Sequence, residues 1–123
     1  MNRAEIDVYV AGWIDAWNRR DIEAVLAHFA DDVTFASPVA KTVTGNAIVR
    51  GKDAIRAYWT AALQRMPALA FTLDHALWHP ERRELAIVYD RDADGARSRV
   101  CELLTFDAAG RVVRGEVMHG AVL

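Results

Sequence analysis

The sequence predicts an α+β fold, with helices from its first half packed against a curved, mainly antiparallel sheet from its second. Three observations carry this. Apolar residues recur at helical spacing over residues 4–19 and again after Gly51. From Leu69 onward the apolar period shortens to two. Two turn signals, Asp92-Ala93-Asp94-Gly95 and Asp107-Ala108-Ala109-Gly110, then divide that second half into hairpins.

In the first helix Ile6, Val10, Trp13, Ile14 and Trp17 share a side, while Asp7, Asp15 and Arg19 lie elsewhere on the wheel. Trp13 and Trp17 stand one turn apart and form an aromatic plate, either core packing or the roof of a pocket. Asn18-Arg19-Arg20-Asp21 interrupts the pattern, and Asp21 caps a short second helix that buries Ile22, Val25, Leu26 and Phe29. Asp31-Asp32 closes that helix. Val33, Phe35 and Ser37 then share one face of a short strand, which Pro38 ends.

Val39 to Arg50, with Gly45 and Asn46, reads as a long connection, a lid or variable surface. A third helix follows Gly51 with Ile55, Tyr58, Trp59, Ala62, Leu63 and Met66 on its apolar side, and Pro67 stops it. Leu69, Phe71, Leu73, His75 and Leu77 form one strand face, and Leu85, Ile87 and Tyr89 form the next. Strands from Arg97 to Phe106 and Arg111 to Val122 complete a four-strand meander.

Size and charge bound the function. A chain of 123 residues fits one domain, residues 1–123, and can bury a real core. A formal charge of -2 argues against the basic surface that nucleic acid requires. Cys101 is alone, which precludes an internal disulfide and a cysteine zinc site and suits a reducing cytoplasm. The N-terminus opens an amphipathic pattern, with no signal-peptide core and no membrane span in prospect.

Strand parity then selects the chemistry. Val100, Glu102, Leu104 and Phe106 share the face that meets the helices, which puts a carboxyl among apolar residues and raises its pKa. Glu102 reads either as a proton donor or base near neutrality, or as half of a structural ion pair with an arginine, or as a carboxyl left wet by a frayed strand. His119 lies on the face of Val113, Gly115, Val117 and Ala121, either bonded to backbone or catalytic. Turns at the two hairpin signals place Tyr89, Ser98 and His119 in one polar row, provided no bulge intervenes. The four histidines show no metal-ligand spacing, and neither a nucleophile elbow nor a phosphate-binding glycine loop is present. No metal and no cofactor is expected.

Trp13 to Arg20, then Asp21 through Phe29-Ala30-Asp31-Asp32-Val33-Thr34-Phe35-Ala36-Ser37-Pro38, then Gly51-Lys52-Asp53-Ala54-Ile55-Arg56-Ala57-Tyr58-Trp59 resemble the NTF2-like superfamily. The ending Glu102-Leu103-Leu104-Thr105-Phe106-Asp107-Ala108-Ala109-Gly110-Arg111-Val112-Val113 is similar too, and the likeness is nearest to the SnoaL-like branch. The resemblance implies a cone-shaped, cystatin-like half-barrel with a deep, largely apolar pocket, often dimeric. Such folds host steroid isomerases, polyketide cyclases, dehydratases and epoxide hydrolases beside non-catalytic binders, so the fold does not choose a function.

Set against the ketosteroid isomerases, Trp13 stands at their oxyanion-hole tyrosine, Trp59 at a supporting tyrosine and His119 at a cavity aromatic. Ser37 stands at their catalytic base, which argues against isomerase-type proton shuttling. Only their buried acid persists, as Glu102. The loop from Pro38 to Gly51 is longer than theirs and reshapes the pocket mouth.

The expectation is a pocket lined by Trp13, Trp17, Phe29, Phe35, Ser37, Trp59, Phe71 and Tyr89, with Glu102 and His119 as its catalytic polar groups. It would take a small, mostly apolar molecule for isomerisation, cyclisation or dehydration. The alternative is a ligand-binding or dimerisation module without catalysis. The opposite sheet face, with Arg97, Arg99, Leu103, Arg114, Glu116 and Met118, suits either a homodimer contact or solvent.

Overall fold

The computed structural model describes residues 1–123. Helix α1 (Arg3–Asn18) starts at a capping box, in which Asn2 and Glu5 each accept the other's backbone N–H. It buries Ile6, Val10, Trp13, Ala16 and Trp17. Helix α2 (Ile22–Leu26) is capped by Asp21, as the sequence predicts.

The chain then enters the sheet earlier than expected. Strand β1 (Phe29–Ala36) begins at Phe29, so Asp31 and Asp32 lie within a strand instead of closing a helix. The cause is tertiary: the Val112 N–H donates to the His28 carbonyl at 2.8 Å, drawing the segment alongside the last strand.

The expected loop after Ser37 is also ordered. Helix α3 (Pro38–Thr44) has Ser37 as its N-cap, Pro38 in its first turn and Gly45 in the left-handed region at its end, with φ 84°. Pro38 therefore ends one element and opens another. Strand β2 (Ile48–Arg50) pairs antiparallel with β1, and helix α4 (Lys52–Arg65) follows Gly51.

Strands β3 (Leu69–His79), β4 (Glu84–Ala93), β5 (Ala96–Phe106) and β6 (Val112–Val122) form the predicted meander. The whole sheet has six strands in the order β2-β1-β6-β5-β4-β3. Only β1 and β6 run parallel, so the architecture is α+β with helices against a mainly antiparallel sheet.

One register shift overturns an expected face. Leu73 pairs with Tyr89 but His75 pairs with Val88, leaving Asp74 as the extra residue of a bulge. Beyond it the parity inverts. Ala76 and Trp78 pack on the core, whereas Leu77 is 61% exposed and His75 is exposed too.

The core joins all four helices to the inner face of the sheet, with Phe71 of β3, Val33 and Phe35 of β1 and the inward residues of β4–β6. Asn18 locks α1 to the edge strand: its side chain accepts the Phe71 N–H at 2.8 Å and donates to the Phe71 carbonyl at 2.9 Å. Arg20 donates to the Met66 and Leu63 carbonyls at the end of α4. Asn18 thus fixes α1 to the sheet and Arg20 ties the α1–α2 turn to α4, roles that the sequence offers only as a break in a helix.

Candidate functional site

Between the helical layer and the inner face of the sheet lies a cavity of about 60 Å³. The side chains turned inward line it: Trp17 from α1, Phe35 from β1, Tyr58 and Trp59 from α4, Phe71 from β3, Tyr89 and Arg91 from β4, Glu102 from β5 and His119 from β6. Twelve of its sixteen lining residues are hydrophobic, so its chemistry is concentrated in a few polar groups.

Glu102 is the deepest of them. It is 3% exposed, and Tyr89 Oη donates to its Oε1 at 3.1 Å. Its Oε2 is buried with no partner. No arginine pairs with it, so the ion-pair reading of this residue fails. Burial pushes the Glu102 carboxyl up to about 8, against the opposing effect of the Tyr89 hydrogen bond. At pH 7 the group is therefore mainly the neutral acid. With Tyr89 donating to Oε1, Oε2 is the oxygen left to carry the acid proton.

The surrounding hydroxyls are held in their neutral forms. Burial first, and the Glu102 charge second, raise the Tyr89 phenol well above its ordinary value. Tyr9, behind the cavity, is raised by the same two causes in the same order. Burial also raises Tyr58, whose Oη donates to Ser37 Oγ at 3.3 Å. Ser37 Oγ additionally accepts the Val39 N–H at 3.1 Å as the cap of α3. A hydroxyl engaged in this way anchors a helix and has no basic role.

His119 lies at the exposed side of the cavity, and partial burial followed by the nearby Arg91 charge lowers its pKa. It is a neutral imidazole at pH 7. The expected row of Tyr89, Ser98 and His119 does not form. Tyr89 pairs with Val100, and Val100 with His119, while Ser98 pairs with Arg91 and Val122. The β4–β5 hairpin turns on Asp94 (φ 53°) and Gly95 (φ 91°), and β5–β6 carries two register shifts, so valine replaces serine between the two polar residues.

Of the ten residues expected at the site, Trp17, Phe35, Ser37, Trp59, Phe71, Tyr89, Glu102 and His119 line the cavity. Trp13 does not: it stacks on Phe71 (5.8 Å) and meets Tyr89 edge-on (5.4 Å) from behind. Phe29 packs beneath Trp59 (5.6 Å). Sequence reasoning missed Arg91, Tyr58 as a polar group, and Met66. Arg91 was within reach, since it continues the alternation of Leu85, Ile87 and Tyr89 by one more step. No group of three His, Cys, Asp or Glu side chains gathers to hold a metal ion, and no helix is long and apolar enough to cross a membrane.

Residues 10–115 match the model of the SnoaL-like domain. The chain belongs to the SnoaL-like family. Among solved structures, it is similar to a SnoaL-like protein of unknown function from Burkholderia thailandensis, at 31% identity over 98% of both chains with a TM-score of 0.87. A protein of unknown function with a cystatin-like fold from Methylobium petroleophilum shares 21% identity over 98% of this chain and 79% of that one, with a TM-score of 0.78. TerC, co-crystallised with polyporic acid, shares 13% identity over 94% of this chain and 92% of that one, with a TM-score of 0.77. The latter two likenesses are of fold alone. No curated protein matches the chain.

Proposed function

We propose that this SnoaL-like protein binds a small, mostly apolar molecule that places a carbonyl or hydroxyl oxygen against Glu102 Oε2, and that it performs acid–base chemistry there. The observation that carries this reading is the unpartnered, buried Oε2 of an acid kept neutral near pH 7. Such a group donates a hydrogen bond where an oxyanion develops and pays no reorganisation at that moment. Neutral His119 is the base: it takes a proton from the carbon beside the carbonyl and returns it elsewhere on the ligand. Isomerisation, cyclisation and dehydration all suit this pair, and the fold of a protein co-crystallised with polyporic acid supports a small organic ligand.

A cavity of about 60 Å³ is well below the ~150 Å³ that encloses a benzene ring. Only the oxygen-bearing edge of a ligand enters at once. A larger body lies towards His119 or displaces Met66, an unbranched side chain suited to moving.

The test is a thermal-shift screen of steroids, aromatic polyketides, terpenoids and short carboxylic acids on wild type and Glu102→Gln. A ligand at ~100 times its dissociation constant adds roughly 2.7 kcal/mol, a shift of several degrees. Hits that weaken in Glu102→Gln support the reading; hits indifferent to it, or turnover untouched in both Glu102→Gln and His119→Ala, overturn it.

The small cavity also favours a second reading, a dimerisation module. On the outer face Leu77, Ala86 and Leu103 form one cross-strand row, and Val88, Cys101 and Met118 another. Leu77 is 61% and Met118 44% exposed in the single chain, and a second copy would cover them. Met118→Asp then halves the solution mass; an unchanged mass removes this interface. The lone thiol, Cys101, is consistent with a cytoplasmic setting.

A further inference from the structure

Arg91 is the one cation facing the cavity, and no acidic group answers it. It continues the inward alternation of β4 and lines the cavity beside His119. None of the ion pairs in the molecule includes it. Its side-chain hydrogen bond goes to Met66 Sδ at 2.9 Å, a weak acceptor for a guanidinium with five N–H donors.

The neighbours offer nothing better. Asp90 and Asp92 belong to the opposite parity; Asp90 faces Arg97 and Arg99, and Asp92 accepts the Gly95 N–H. Across the strands Arg91 sits between Phe71 and Ser98, both uncharged. His119 cannot supply an anion, and the Arg91 charge helps keep it neutral. A partly buried guanidinium without a carboxylate is costly in the empty protein and well placed to take one from outside.

The second observation is at the far end. Glu102 lies opposite Ile87, four residues along β4 from Arg91, or about 13 Å of strand at the usual rise. Its Oε2 is buried and unpartnered on a carboxyl that is mainly the neutral acid, so it offers a hydrogen bond to a carbonyl or hydroxyl oxygen but no countercharge for a carboxylate. The two ends of the cavity thus differ in chemistry: a hydrogen-bond donor at depth and a fixed positive charge at the edge.

We propose that the ligand is an organic acid, held with its carboxylate on the Arg91 guanidinium and a ketone or hydroxyl oxygen on the Glu102 carboxyl. This rests on the reading above that the ligand meets Glu102, and adds its charge, its polarity and its direction in the cavity. Neutral His119, beside Arg91, then flanks the carbon chain between the two oxygens.

The experiment uses matched pairs: 4-oxo-4-phenylbutanoate, 5-oxo-5-phenylpentanoate and 6-oxo-6-phenylhexanoate, each against its primary carboxamide. Binding is followed by tryptophan fluorescence at pH 7, since Trp17 and Trp59 line the cavity. The expected result is that at least one acid binds about tenfold more tightly than its amide. Arg91→Gln then brings that acid down to the amide's level, and Arg91→Lys restores part of the gap. The gap also narrows between about 50 and about 500 mM salt.

Equal binding of acid and amide, sensitive to Glu102→Gln, overturns the organic acid and leaves the Glu102 reading standing. A loss of acid and amide alike in Arg91→Gln, with a lowered Tm, makes Arg91 a packing residue and overturns the proposal. Binding of no member of any pair counts against both readings.

Discussion

Tyr89 Oη donates to Glu102 Oε1 across 3.1 Å, and Glu102 Oε2, equally enclosed, has no partner. The carboxyl is thus fixed in orientation by one oxygen and left chemically open by the other. Both residues descend from strand alternation, yet they are not directly opposed: Tyr89 pairs with Val100, and Glu102 with Ile87. The bond is a diagonal one, within reach of a long side chain.

A buried acid raised to about 8 makes stability depend on pH with a definite sign. Between its ordinary value of 4.5 and about 8 the folded state holds a proton that the unfolded state has lost, so stability falls as pH rises through that window. The slope from this group is at most about 1.4 kcal/mol per pH unit. Tyr89, Tyr9, Tyr58 and Cys101 also feel its charge, and Arg91 and His119 share its cavity, so the comparison must isolate one group. Urea unfolding of wild type and Glu102→Gln from pH 5 to 9 does so. Their stability difference widens in favour of the glutamine up to pH 8 and then levels; a constant difference would mean an ordinary carboxyl.

Tyr89→Phe removes the one hydrogen bond the carboxyl accepts. That bond lowers the Glu102 pKa, so its loss raises the value further. Leaving Oε1 buried and unmet costs about 1–3 kcal/mol. The carboxyl stretching band, followed by infrared titration, moves its midpoint upward. A downward move indicates that water has entered in place of the phenol.

Much of this site was legible in advance, and the reasons are local. Parity from Val100 to Phe106 places Glu102 inside without knowledge of the fold, because a continuous strand obeys period two. Parity fails where a bulge inserts a residue, as at Asp74, which leaves no signature beyond an acidic residue in an apolar run. Ser37, Pro38 and Gly45 do carry a helix signature, yet in a short segment it is easily read as turn chemistry. Phe29 is ambiguous for another reason. Its place in β1 follows from parallel pairing with β6, a partner more than eighty residues away that no window of sequence contains.

Gly115 is a glycine for a reason of space. A Cβ there would lie 2.7 Å from Phe35 Cδ2 and 3.4 Å from Leu104 Cδ2, both in side chains with almost no exposure. Gly115→Ala therefore forces the Phe35 ring aside and costs about 1–3 kcal/mol. Because Phe35 lines the cavity, the same substitution changes ligand affinity at a distance from any polar group. Denaturant midpoints measure the first effect. Unchanged stability would show that the ring has room to turn.

Asn18 makes the last and most mechanical prediction. Its amide pairs with both backbone groups of Phe71 and so extends the edge of the sheet by one residue's worth of hydrogen bonding. Both groups are partly buried, and Asn18→Ala leaves the Phe71 N–H and C=O unmet, at about 1–3 kcal/mol. The side chain is also the last of α1, one residue beyond Trp17, whose indole meets Trp59 and Phe71 over the cavity. Losing the clamp should let this corner open before the sheet unfolds. Hydrogen exchange of the Trp17 amide, inside the last turn of α1 and not bonded to the Asn18 side chain, then speeds up well beyond the global change in stability, and the Trp17 contribution to fluorescence shifts. Exchange that merely follows global unfolding would place the clamp in the same cooperative unit as the core, with Trp17 held by packing alone.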